Sequence, residues 1–175
     1  METNWMIEQT ILSNLTLNEE YTRKVIPYLK PEYFHDYTER SVFGLITKYF
    51  DKYNRVPDNA ALLVELSNAE GLSDDQHSSA QEFINKFGTS SDEEWLIDET
   101  EKFCQDKAIY NAIMESISVI DGKSDKGKGA LPSILQDALA VNFDPHIGHD
   151  FLDDADARWD YYHQVEEKVG FDVDL

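Results

Sequence analysis

Apolar residues along most of the chain recur at intervals of three and four, and stretches that alternate apolar and polar residues are almost absent. The first spacing places apolar side chains on one face of an α-helix, whereas alternation is typical of a β-strand. Between Val42 and Tyr53 the apolar positions form one such stripe, which must pack against neighbouring elements. The pattern predicts an all-α fold with an N-terminal helical head, a long helical hairpin and a linker helix, and without a significant β-sheet.

Local signals divide the head into five predicted helices, the first over 4–13. Four residues whose side-chain oxygens can accept a hydrogen bond from the first turn of a helix precede the other helical patterns: Asn18, Asp36, Asp58 and Ser73. Pro31 is predicted to close the second helix because proline cannot donate a backbone hydrogen bond. Gly88 is predicted to end the fifth.

A second pattern occupies residues 89–142. Leu96, Phe103, Tyr110 and Ile117 recur every seven residues, which is typical of helices that pair along a seam. The predicted helix, near 92–121, is far longer than the mean of about 11 to 12 residues, so a small head cannot cover all of it. A shorter helix over 130–141 completes a hairpin, which we predict to pair with another subunit. The predicted pairing residues are Leu96, Phe103, Tyr110, Ile113, Ile117, Ile120, Leu131, Ile134, Leu135 and Leu139.

The last part of the chain, 143–175, is predicted to be an acidic linker with one helix near 150–168. It contains ten acidic and two basic residues. One face of the predicted helix is apolar and would dock on another chain or pack back on the head. That face consists of Phe151, Leu152, Ala155, Trp159 and Tyr162. The predicted organisation is therefore head 1–88, pairing hairpin 89–142 and linker 143–175.

The chain carries a strong negative charge, −20 from 35 acidic and 15 basic residues. Such a charge repels a phosphate backbone, so unaided binding to nucleic acid is not expected. Cys104 is the only cysteine, which excludes an internal disulfide and favours a reducing compartment. No leader or membrane-spanning pattern is found, so we expect a cytoplasmic protein without membrane contact.

Two short patterns suggest chemistry but have simpler explanations. Gly122-Lys123-Ser124 resembles the end of a phosphate-binding loop, yet Ile117 stands where that motif requires glycine, which favours a turn. Between His146 and Asp156, imidazole and carboxylate groups could bind a metal ion, but acidic residues at the start of a helix also stabilise its dipole. We therefore predict no catalytic, cofactor-binding or metal-binding residues, and no enzyme activity for this piece.

Several runs resemble the replicative DNA helicases of T-even phages, in the DnaB-like hexameric helicase family. Asp98-Glu99-Thr100-Glu101-Lys102-Phe103, with 108–112 behind it, is similar to a long helix in their N-terminal region. The stretch from Gln136 to Trp159 is similar to the one that precedes their ATPase domain. The likeness extends to 11–13 and 25–34. The runs in the second stretch are Gln136-Asp137-Ala138-Leu139, Phe143-Asp144, Gly148-His149-Asp150, Asp153-Asp154 and Ala157-Arg158-Trp159.

The resemblance implies the N-terminal tier of a hexameric ring that unwinds DNA at the replication fork, cut off before its ATPase domain. It implies pairing of hairpins between subunits, a linker helix docked on a neighbour, and partners that include primase and a helicase loader. ATP and Mg²⁺ would bind in the missing domain, and single-stranded DNA would be contacted only through the assembled ring. Glu166-Glu167 departs from the family, where a more basic stretch is usual, so the docking surface would differ in detail.

The charge also allows a different class of protein, a free-standing acidic adaptor or DNA mimic. Its carboxylates would imitate a phosphate backbone and occupy a DNA-binding partner. A ring subunit continues into an ATPase domain, whereas an adaptor does not.

Overall fold

The computed structural model describes residues 2–88 and 90–143, which contain seven α-helices and no β-strand. The predicted all-α class is confirmed. The helices are α1 (Glu2–Leu17), α2 (Glu19–Val25), α3 (Tyr37–Tyr53), α4 (Asn59–Ser67), α5 (Asp74–Asn85), α6 (Glu93–Ile120) and α7 (Leu131–Leu139). Two 3-10 turns, Pro31–Tyr33 and Lys128–Ala130, precede α3 and α7.

The predicted N-caps all accept hydrogen bonds from the first turn of their helices. The capping side chains are those of Asn18, Asp36, Asp58 and Ser73. At Asp36 and Ser73 the cap is reciprocal, because Glu39 and Gln76 bond back to the backbone of the capping residue. These helix starts are determined by local chemistry and are confirmed.

Helix ends differ more from the prediction. The first helix continues to Leu17. The prediction that Pro31 closes α2 is wrong, because the helix ends at Val25 and Pro31 begins a 3-10 turn. Pro27 explains the earlier end, because Ile26 still has helical backbone angles but proline has no N–H to donate to the Arg23 carbonyl. The fifth helix ends at Asn85, before Gly88.

The head is built around α1 and α3. The first helix packs on α2, α3 and α6, and α3 packs on α4 and α5 as well. Fully buried side chains from all of these helices fill the interior, among them Leu12, Tyr21, Phe43, Ile46, Leu62, Ile84 and Leu96. In the predicted stripe of α3, Val42 and Ile46 are buried but Tyr53 is exposed, so only the N-terminal part of the stripe belongs to the core.

The connection between α5 and α6 is held by the first helix. The Ser13 hydroxyl accepts a hydrogen bond from the Gly88 amide at 3.3 Å, and the Asn14 side chain accepts one from the Ser91 amide at 3.1 Å. Both acceptors are buried residues of α1. These two hydrogen bonds hold the start of α6 against the first helix.

Helices α6 and α7 form the predicted hairpin. The chain after α7 returns to the middle of α6, where the Gln105 amide donates to the Val141 carbonyl at 3.2 Å and the Phe143 amide donates to Glu101 at the same distance. Residues 1–143 form one compact unit. The boundaries predicted at 88 and 142 stay predictions.

Candidate functional site

The heptad face of α6 is buried in its first half and exposed in its second. Leu96 and Phe103 are only 1% and 5% exposed, whereas Tyr110 and Ile117 are 61% and 48% exposed. Phe103 lies 5.8 Å from Phe34, ring centre to ring centre, inside the head. The stripe therefore has one continuous sequence pattern but two environments, and the change occurs near Lys107.

The exposed half of this face is a run of large apolar side chains on α6. At about 100° per residue these positions lie roughly opposite the buried Ala108, Ala112 and Val119. Their exposed fractions are between 47% and 61%. They are Tyr110, Ile113, Met114, Ile117 and Ile120, and we call them the α6 stripe.

The predicted pairing residues on α7 are divided in the same way. Ile134 is buried and Leu131 is half-buried, while Leu135 is 40% and Leu139 72% exposed. The structure thus places four of the ten predicted pairing residues, Leu96, Phe103, Leu131 and Ile134, fully or partly inside this chain. The remaining six are exposed, and their role in pairing stays a prediction.

Charge is almost absent along the exposed half of α6. Between residues 108 and 120 the only charged side chain is Glu115, which forms an ion pair with Lys126 of the connecting loop. On a chain of net charge −20, a neutral and apolar helix face is a local exception. Apolar surfaces of this kind, surrounded by polar residues, are typical of sites that bind another protein.

The phosphate-loop likeness at 122–124 is explained by the end of α6. Gly122 has a φ of 72° and donates its N–H to the Val119 carbonyl, while the Lys123 N–H donates to the Ser118 carbonyl. These two bonds form a Schellman cap, which requires a left-handed residue at the position of Gly122. The glycine therefore ends a helix, as the turn interpretation expects.

No group of three or more potential metal ligands occurs among residues 2–88 and 90–143. The histidines and aspartates at 146–156, which the sequence singled out, lie outside the described residues, as do Phe151, Leu152, Ala155, Trp159 and Tyr162. Within the described part of the chain, none of the helices is long and apolar enough to cross a membrane.

A buried polar cluster near Lys107 was not found from the sequence. Glu8 of α1, Glu39 of α3 and Lys107 of α6 meet where the exposed half of α6 begins, with the Lys107 ammonium 2.7 Å from a Glu8 oxygen. Glu8 and Lys107 are 99 residues apart along the chain, so no local sequence pattern indicates that they meet.

The family of the chain follows from comparison with known proteins. Residues 1–99, more than half of the sequence, match the DnaB-like helicase N terminal domain. The chain belongs to this family. The match includes the whole head and the start of α6, and it confirms the resemblance to DnaB-like helicases.

A curated relative extends the likeness through the hairpin of this DnaB-like domain. The chain is 35% identical over 173 residues to the DnaB-like replicative helicase of Enterobacteria phage T4. The similarity covers 93% of this chain but 36% of the relative, so the chain spans little more than a third of that helicase.

Proposed function

We propose that this DnaB-like domain is a non-catalytic oligomerisation and partner-binding tier of a hexameric replicative helicase, whose copies pair through the α6–α7 hairpin. The observation that carries the proposal is the α6 stripe, which continues the face that packs on the head but is left exposed by residues 2–88 and 90–143. Membership of the helicase family supports the assignment to a replicative helicase.

A second copy is the occupant that best fits the stripe. The same apolar, nearly uncharged surface is present on every copy, and closed symmetric dimers bury the same patch on both subunits. The strong like charge elsewhere would keep copies apart at other faces. The neutral α6 stripe is the place where two copies meet with the least repulsion.

Pairing of the domain alone should be weak. Covering a half-exposed isoleucine or leucine contributes about 1 kcal/mol. With about six such side chains on each copy, the gain is of the same order as the cost of association, which is on the order of 4 to 15 kcal/mol. We expect dimers only at high protein concentration, and a stable hexamer only with the ATPase ring of the whole helicase.

The remaining roles are proposed from the family. ATP and Mg²⁺ would act in an ATPase domain of the kind that helicases contain, and this tier would meet primase and a helicase loader. Single-stranded DNA would be contacted through the assembled ring, because the acidic surface of this domain repels phosphates.

Sedimentation velocity on the 175-residue chain tests the pairing step. Wild-type protein should shift from monomer to dimer as its concentration rises. Ile117→Asp should remain monomeric, because a charge buried at the seam is costly. Gln81→Asp adds the same charge at an exposed position of α5 and should pair like the wild type. A monomeric wild type at the highest concentration, or equal pairing of Ile117→Asp, would exclude this seam.

A further inference from the structure

Three ionisable side chains from three helices meet in the interior of the head. Glu8 is 1% exposed and Glu39 is 8% exposed, and the Lys107 side chain is 14% exposed. Glu8 bonds the Lys107 ammonium at 2.7 Å and accepts the His35 backbone N–H at 3.0 Å. Glu39 accepts the Asp36 N–H at 3.3 Å, and its carboxyl group lies beside that of Glu8.

The charges of this cluster do not balance if every group is ionised. Two carboxylates would face a single ammonium, and two carboxylates cannot hydrogen-bond to each other without a proton. An uncompensated buried charge is far more costly than a protonated carboxyl group. We propose that Glu8 and Glu39 share one proton in the folded protein and that this proton holds α1, α3 and the Lys107 turn of α6 together.

The roles of the two carboxyl groups follow from their partners. Glu8 already accepts from an ammonium and a backbone amide, so it is the ionised member. Burial, together with the hydrogen bond and the negative charge of Glu8, raises the pKa of Glu39 to about 8. Burial alone would raise the pKa of Glu8, but hydrogen bonds from Glu39, the His35 amide and Lys107 hold it below its usual value.

Other charged groups near Glu39 leave this assignment unchanged. The carboxylate of Asp36, at the start of α3, adds a negative charge that also raises the pKa of Glu39. Across from it on α5, Glu82 and Lys86 line the same shallow hollow as Glu39 and carry opposite charges. The His35 residue is exposed, and its contact with the cluster is through its backbone.

The shared proton makes stability depend on pH in a known direction. An unfolded glutamate has a pKa of 4.5, so between that value and about 8 the folded chain binds a proton at Glu39 that the unfolded chain does not. The stabilisation is complete below the unfolded pKa and is lost as pH rises towards the folded pKa. Above pH of about 8 the dependence levels off. The lowered pKa of Glu8 acts oppositely, and only below its usual range.

Urea unfolding between pH of about 5.5 and 9 tests the proposal, with Glu39→Gln as the diagnostic variant. The glutamine amide can donate to Glu8 while its oxygen accepts from Asp36, so it copies the protonated carboxyl group. Relative to this variant, the unfolding constant of the wild type should rise about tenfold per pH unit up to about pH 7.5. Glu70→Gln removes an exposed charge and should keep the wild-type slope. Parallel slopes for wild type and Glu39→Gln would overturn the proposal.

Carbon NMR of the carboxyl groups in the wild type gives a measurement that needs no variant. The Glu39 carboxyl group should titrate near pH of about 8, and a midpoint below about 6 would overturn the shared proton.

Hydrogen exchange tests whether the shared proton holds α6 against the head. Protection of amides 106–109 should fall about tenfold or more from pH of about 6.5 to 8.5 in the wild type and stay constant in Glu39→Gln. Unchanged protection in the wild type would overturn the link to α6. Both readouts are independent of the proposed pairing.

Discussion

The hydroxyl groups of Tyr21 and Thr100 lie 2.7 Å apart in the core and join α2 to α6. Both residues are fully buried. The Thr100 hydroxyl donates to the Leu96 carbonyl at 2.6 Å, so the Tyr21 hydroxyl is the donor of the pair. The bond fixes the first half of α6 to the head at a point between Leu96 and Phe103.

Replacing Tyr21 by Phe should lower the free energy of unfolding by about 1 to 2 kcal/mol, because it removes the donor but keeps the ring. Urea denaturation measures the change. Thr100 keeps its bond to Leu96, so no buried donor is left unsatisfied. A loss above about 3 kcal/mol would indicate repacking of the ring rather than loss of one hydrogen bond.

Equivalent positions of the heptad should respond differently to the same kind of change. Phe103→Ala should cost about 3 to 5 kcal/mol of stability, because it opens a cavity in the head. Ile117→Ala should cost less than about 1 kcal/mol when unfolding is followed at concentrations where the chain is monomeric. Similar losses at both positions would mean that Ile117 is covered within a single chain.

The end of α6 provides a test of backbone conformation alone. Gly122→Ala should destabilise the chain by about 1 to 2 kcal/mol, because alanine disfavours the left-handed conformation that the Schellman cap requires. Gly127→Ala is the matched control, since Gly127 has an ordinary φ of −78°. No atom lies within 4 Å of a side-chain carbon added at either site, so neither change creates a clash. Thermal unfolding should separate the two variants, and equal midpoints would contradict the cap.

The single cysteine reports on opening of the core. Burial raises the pKa of the Cys104 thiol to about 12, with the negative charge of Glu101 adding to the effect. At pH of about 8 the thiol is both protonated and inaccessible, so a disulfide reagent should label native protein orders of magnitude more slowly than urea-unfolded protein. Absorbance of the released thiolate follows the reaction. Labelling of native protein as fast as of a free thiol would place Cys104 outside the core.

The sequence predicted best what is determined locally. The caps at Asp36 and Ser73 depend on residues three positions apart, so their chemistry is visible in the chain itself. The heptad of α6 could also be recognised in the sequence, but its periodicity does not indicate which half of the helix is buried by the head. Leu96 and Phe103 are buried by helices far away in sequence, whereas the described part of the chain leaves Ile117 half exposed. The cluster of Glu8, Glu39 and Lys107 could not be predicted for the same reason, because these residues are far apart in sequence and meet only in the folded chain.

The hydrogen bonds from Ser13 and Asn14 to the start of α6 have a consequence for the orientation of the hairpin. They span 75 and 77 positions of sequence, so the first helix acts together with α2 to set the angle at which α6 leaves the head. Shortening the chain from its beginning would leave α6 and α7 able to form their own contacts. It would remove part of what gives every copy the same orientation, and in the proposed ring, subunits that differ in orientation could not close symmetrically.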